Sequence, residues 1–189
     1  VTPMEIVSSY SIFSNKGIYS EPIAITKIED KYGQIIKEFN IAQKEVLSPE
    51  TAYVVTNLLQ TVIDKGTGGS ARWKYKFRHT AAGKTGTTQG FSDAWFVGFT
   101  PNISAGVWYG MDDYSVSLGD KQSGSTAALP AWARFMREAH KELGIRDEDF
   151  VMPEGVIEVE IDSDTKLLPR SNSRNIEKEI FFKSNKPTN

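Results

Sequence analysis

The chain contains no cysteine and only two histidines, His79 and His140. Without cysteine there are no disulfides, no thiolate catalysis and no cysteine-held metal, and the composition fits either side of a membrane. Neither histidine stands at a ligand spacing from the other or from a carboxylate, so no metal site and no cofactor is expected. His140 lies in a helical stretch beside Lys141 and Glu142 and reads as a surface residue. A long apolar run is also missing: nothing reaches the ~18 residues that a bilayer span requires. No signal-peptide pattern opens the chain. Charge of one sign is not in excess, since 22 basic residues face 24 acidic ones, for a net charge of −2. No global field therefore gathers nucleic acid or an anionic membrane, and nucleic acid is not an expected partner. No repeat or low-complexity tract is present. The first residue is not Met, and the chain opens directly at a helix cap, so the expectation is a piece of a longer protein.

What is present can build a sizeable core: 189 residues, 39% of them apolar, with 4 Trp, 7 Tyr and 10 Phe. Thr2-Pro3-Met4-Glu5 has the form of a capping box, and Ile6, Tyr10 and Phe13 then share a helix face up to Gly17. Residues 23–28 and 35–39 read as two strands joined by a turn at Asp30-Lys31-Tyr32-Gly33. A second helix opens at Ser48-Pro49-Glu50 and closes at Gly66, with Val55, Leu58, Leu59 and Val62 as its core stripe. Residues 66–70 then form a flexible loop. Trp73, Tyr75 and Phe77 alternate with Lys74, Lys76 and Arg78, continued by His79. Such interleaving can bind a nucleic acid strand, but on a net acidic chain it reads better as a short amphipathic strand. Residues 80–88, 94–100 and 103–110 are three successive strands. The last two are apolar at both parities, so both faces should be covered. Residues 126–143 form a third helix with Ala128, Trp132, Phe135, Met136, Ala139 and Leu143 as its stripe. Short strands at 156–161 and 180–183 close a polar tail. Three consecutive strands with short links imply an antiparallel meander, and helices on either side make an α+β arrangement: an antiparallel sheet covered by helices.

Chemistry concentrates in Ala82-Gly83-Lys84-Thr85-Gly86-Thr87-Thr88. A phosphate loop does not fit, because Arg78 occupies the place of its first glycine and no helix follows to present its amides. The run 66–71 formally matches a dinucleotide fingerprint but follows a helix instead of opening one. Asp112 and Asp113 lack the further oxygens of a calcium loop. A strand edge remains. Such an edge offers unpaired amides to an extended ligand. Thr85 and Thr87 can flank one anionic group, Gly86 allows close approach, and Lys84 supplies a cation near a developing oxyanion. Composition alone leaves this balanced against an ordinary strand with an exposed lysine.

Lys84-Thr85-Gly86 resembles the Lys-Thr-Gly element of penicillin-binding proteins and class A β-lactamases. The longer series, 82–88 followed by Asp93-Ala94-Trp95-Phe96-Val97-Gly98-Phe99-Thr100-Pro101, resembles the transpeptidase domain of class A penicillin-binding proteins. Val1-Thr2-Pro3-Met4-Glu5 with Tyr10 and Asn15-Lys16-Gly17 is similar to that family's upstream helix. Gly124-Ser125-Thr126-Ala127-Ala128-Leu129-Pro130 with Trp132, Phe135 and Met136 is similar to its last helix. The resemblance runs over residues 1–143. It implies the transpeptidase fold shared with serine β-lactamases, incomplete in this chain. Residues 1–149 would be the C-terminal part of that domain, and 150–189 its end or the start of an extension.

By the same resemblance, the activity is that of a serine D,D-transpeptidase. A serine attacks the D-Ala-D-Ala bond of a peptidoglycan stem peptide, and the acyl group passes to an amine on a neighbouring stem. β-Lactams would acylate the same serine. Lys84 and Thr87 would be catalytic, Lys84 through the charge and proton network and Thr87 through an oxyanion amide. Thr85, Gly86, Thr87 and Thr88 would bind the substrate, with the Thr85 and Thr87 hydroxyls on its terminal carboxylate and Thr88 bordering the cleft. The family orders Ser-x-x-Lys, Ser-x-Asn and Lys-Thr-Gly. Here Ser163-Asp164-Thr165-Lys166 and Ser173-Arg174-Asn175 match the first two only in the polar tail, after Lys84, and read as coincidence. The nucleophile and several sheet strands are therefore expected on the rest of the same domain, a necessary partner. The complete protein would be anchored at the extracytoplasmic face of a bacterial membrane and carry a glycosyltransferase. The alternatives are a β-lactamase or D,D-carboxypeptidase of the same fold, a non-catalytic penicillin sensor, and a self-contained non-catalytic domain.

Overall fold

The computed structural model describes residues 1–188. Helix α1 (Pro3–Ser14) starts at the capping box: the Glu5 amide donates to Thr2 Oγ1 at 3.3 Å, and the Thr2 amide donates to Glu5 Oε2 at 2.7 Å. Gly17 ends it at φ +92°. Two short antiparallel pairs follow, β1 (Ile18–Ser20) with β4 (Gln43–Glu45), and β2 (Lys27–Glu29) with β3 (Ile35–Glu38). The outer pair has no apolar alternation to announce it, and the β2–β3 hairpin is shorter than the sequence pattern suggests. Helix α2 (Pro49–Asp64) is capped by Ser48, whose Oγ accepts from the Thr51 amide. Its buried residues are Ala52, Thr56 and Ile63, whereas Leu58 is 61% exposed. The burial stripe is thus rotated away from the expected one.

The glycine-rich stretch after α2 is a hydrogen-bonded turn, with the Gly68 amide donating to Val62 O at 2.8 Å. It leads into the short helix α3 (Ser70–Trp73). The expected strand at 73–78 does not form. Instead Lys76 takes a positive φ of 57° and Phe77 turns wholly inward. The sheet is an antiparallel meander of β5 (Ala82–Thr87), β6 (Asp93–Phe99) and β7 (Ser104–Gly110), in that spatial order. Strand β6 is almost entirely buried, as a central strand with two covered faces must be. Strand β7 is half exposed, against the expectation for its apolar composition, because β6 is its sole partner among the described residues.

Period-two alternation sorts β6 between two helix layers. Phe99 meets Tyr10 and Phe13 of α1, at ring separations of 6.4 and 6.3 Å. Phe96, of the opposite parity, packs against Trp132 at 4.8 Å. Trp132 belongs to α4 (Leu129–Glu142), which is entered through a π turn at Gly124–Ala128. The core joins Ile63, Phe77, Phe96, Leu129, Trp132 and Met136. On α4 the buried residues are Leu129, Trp132, Ala133, Met136 and His140, while Phe135 is 55% exposed. His140 is a core residue, 1% exposed, and not the surface group its charged neighbours suggest. Strands β8 (Val156–Asp162) and β9 (Ile176–Phe182) form a separate antiparallel hairpin. The segment before it is pinned to the body by Phe150 on Phe99, at 5.6 Å, and by Thr80, whose amide donates to Asp147 at 2.7 Å.

Candidate active-site edge

Strand β5 is an edge strand, since its partner is β6 and no described strand lies on its other side. The Thr88 amide donates inward to Asp93 O at 3.1 Å. Antiparallel alternation then directs the amides and carbonyls of the odd-numbered residues, Thr85 and Thr87, away from β6. The Lys84 ammonium donates to the outward Thr85 carbonyl at 2.9 Å. One ammonium and two outward peptide units therefore share three consecutive residues and the Thr87 that follows them. Lys84 is exposed, and Thr85 and Gly86 are half-buried.

Two neighbours hold the threonine side chains. Thr85 Oγ1 lies 2.9 Å from Thr67 Oγ1, in the turn after α2. Thr87 Oγ1 accepts the Gly124 amide at 3.0 Å, from the first residue of the π turn. Accepting that bond leaves the Thr87 hydroxyl proton free to donate. Gly124 is required here: a Cβ at this position would lie 2.6 Å from Gly86 O and would also strike Trp95 O. The Thr88 hydroxyl is differently placed. It accepts the Asp93 amide at 2.8 Å and lies 2.8 Å from Ser92 Oγ, so it organises the turn at the end of β5. Asp93 is 7% exposed and accepts Trp108 Nε1–H at 2.8 Å, which ties the turn to β7.

The expected site residues Lys84, Thr85, Gly86 and Thr87 thus lie on one edge, and Thr88 follows them at the turn. Sequence reasoning missed Thr67, Gly124 and Asp93 as their supports. A hydroxyl inside a glycine-rich turn and a glycine opening a helix were the only local signals, and neither shows what it will touch. The two tail motifs stay out of this edge. Ser163 and Asn175 bond to each other's segment, Asn175 Nδ2 also donates to Asp164, and Lys166 pairs with Glu177, all within the β8–β9 hairpin. Among the described residues no cluster of three or more His, Asp or Glu side chains could hold a metal.

An edge of this kind can bind an extended chain by its main chain, receive a carboxylate on hydroxyls and stabilise negative charge on a carbonyl oxygen. Residues 1–136 match the family described as penicillin binding protein transpeptidase domain. Penicillin-binding protein 1A of Clostridium tetani is 37% identical over 168 residues, covering 88% of this chain and 21% of that protein. Penicillin-binding protein 1A of Aquifex aeolicus is 36% identical, covering 99% of this chain and 25% of that protein. The chain therefore spans about a quarter or less of the curated relatives it matches. The structure of penicillin-binding protein 1A from Haemophilus influenzae superposes with a TM-score of 0.89 at 27% identity, over 100% of this chain and 33% of that one. PonA1 from Mycobacterium tuberculosis follows the same fold, with a TM-score of 0.66 at 27% identity over 79% of this chain and 40% of that one. With the edge, the meander and residues 1–136 all in agreement, the chain belongs to the penicillin-binding protein transpeptidase domain family.

Proposed function

We propose that this chain forms the Lys-Thr-Gly wall of a D,D-transpeptidase cleft, completed by a nucleophilic serine from another part of the same domain. The observation that carries this reading is the β5 edge, where Lys84 and the outward peptide units of Thr85 and Thr87 adjoin two positioned hydroxyls. A stem peptide ending in D-Ala-D-Ala would lie antiparallel along β5. Its terminal carboxylate would be received by the Thr85 and Thr87 hydroxyls. The serine oxygen would bond to the penultimate D-Ala carbonyl carbon, and the developing oxyanion would accept the Thr87 amide proton. The peptide C–N bond would then break, and the terminal D-alanine would leave as an amine carrying the serine proton. A neutral amine of a second stem would attack the ester, form the new amide, and return one proton to the serine oxygen. Lys84 would stabilise charge throughout, while Gly86 admits the ligand backbone and Thr88 fixes the end of the strand. A β-lactam carries a carboxylate beside a strained amide, so it would be held and opened by the same groups.

The substrate places the work on the extracytoplasmic face of a bacterial membrane. No described helix is long and apolar enough to cross a membrane. The experiment is Lys84→Ala in the complete enzyme. Acylation by a fluorescent penicillin falls by two or more orders of magnitude, on the scale of losing an electrostatic catalytic group, with the circular dichroism unchanged. Full labelling would remove Lys84 from the site.

A further inference from the structure

Beside the β5 edge lies a second concavity of about 420 Å³. Its lining includes Thr67, Ser70, Trp73, Tyr75, Ser125 and Thr126. Two hydrogen bonds tie its walls to the edge. Thr67, on one wall, is the hydroxyl bonded to Thr85. Gly124, next to Ser125 on the other wall, is the amide bonded to Thr87. Trp73 is 72% exposed although it sits at the end of a helix whose Ala71 is fully buried. A large flat ring left open at the mouth of a groove is an unused apolar surface. Two cations stand at Tyr75: Lys74 Nζ lies 5.3 Å from its ring centre and the Arg134 guanidinium 5.7 Å from it. Arg137, paired with Glu138 at 2.8 Å, donates to the Tyr75 carbonyl at 3.1 Å and fixes that residue. An exposed aromatic ring, hydroxyl walls and the Lys74 and Arg134 cations beside Tyr75 suit a peptide that carries carboxylates.

We propose that this groove is the acceptor subsite: it takes the second stem peptide, whose backbone lies across Trp73 and whose carboxylates face Lys74 and Arg134. The inference rests on the transpeptidase reading. In that reading the departing D-alanine is held by its carboxylate at Thr85 and Thr87. The incoming amine must replace the departing one on the same side of the ester carbonyl. The groove adjoins those two threonines through Thr67 and the Gly124–Ser125 turn, so an acceptor reaching the ester past them would lie along Thr67, Ser70 and Trp73. A small acceptor such as a free D-amino acid fills only the space vacated by D-alanine and needs none of the groove.

The test compares two reactions of the complete enzyme carrying Trp73→Ala. One is cross-linking between D-Ala-D-Ala-ending stem peptides, and the other is exchange of the terminal D-alanine for a labelled free D-amino acid. Losing a stacking platform lowers cross-linking about three- to tenfold relative to exchange, and Trp73→Phe restores most of it. An equal fall in both reactions, or no change in their ratio, overturns the acceptor assignment. A Trp73→Phe ratio as low as that of Trp73→Ala overturns the stacking role. Failure of the underlying reading is a separate result, full penicillin labelling of Lys84→Ala.

Discussion

His140 shows what one buried ring can fix. Its Nδ1 lies 2.8 Å from the Met136 carbonyl, which can only accept, so Nδ1 carries the proton. Nε2 then accepts from the Thr100 hydroxyl at 3.0 Å. The Thr100 oxygen in turn accepts the Ile103 amide at 3.1 Å, which shapes the β6–β7 turn. Phe77 and His79 pack on the ring, at 5.9 and 4.3 Å. Burial lowers the imidazole below its ordinary value of 6.5, helped by His79 and opposed by the Met136 carbonyl and Asp147. A base with a lowered folded-state value is protonated first in the unfolded chain. Its stabilising contribution is complete above 6.5 and is lost as pH falls from there through the lower folded-state value. Thermal melting of the enzyme in a series from about pH 7.5 to about pH 5 shows Tm falling through this window, and His140→Gln flattens that fall. An unchanged slope in the variant would contradict the assignment. The sequence could not reveal this residue: its flanks, Lys141 and Glu142, are exposed, and the hydroxyl that satisfies it lies forty positions upstream. Asp93 was hidden in the same way, because its partner Trp108 is on another strand.

Elements were legible where the signal is local. The capping box of α1, the serine cap of α2 and the three strands of the meander stand where the sequence puts them. Helix faces were less legible, because hydrophobic periodicity marks every apolar side chain and not the flank that a neighbour covers. Leu58 on α2 and Phe135 on α4 belong to apolar stripes yet face outward. The stretch 73–78 failed for another reason. Its alternation mimics a strand, but the Arg72 guanidinium donates to the Phe77 and His79 carbonyls and folds the backbone back. The π turn at Gly124–Ala128 carries a prediction of its own. Gly124→Ala pushes a methyl into the main chain of Gly86 and Trp95, which cannot rotate away. Denaturant unfolding then shows a loss of about 1–3 kcal/mol. Penicillin acylation slows as well, since the Thr87 hydroxyl loses its anchor. Wild-type values for both would show that the turn can shift freely.

Across the whole molecule, the sheet has three strands, and both its outer edges are open among the described residues. The β7 edge carries half-exposed Trp108 and Tyr109, an apolar surface that a further strand would cover. The β2–β3 hairpin stands away from the core with Ile28, Ile35 and Ile36 exposed. The edge and the relatives' greater length lead to one expectation. On the proposed reading, this chain expressed with a separate upstream segment bearing Ser-x-x-Lys would form an equimolar complex that reacts with fluorescent penicillin, and neither polypeptide would react alone. Absence of a complex by gel filtration would count against strand completion at β7. The open β5 edge has a further consequence for such a pair. On that reading the fluorescent adduct would, after denaturation, migrate with the upstream polypeptide, while the Lys84 substitution expected to erase it would lie in this chain. If the proposed cleft is right, mass spectrometry of the labelled peptides finds the drug on the upstream polypeptide and none on this chain, although Lys84 here would set whether the drug binds.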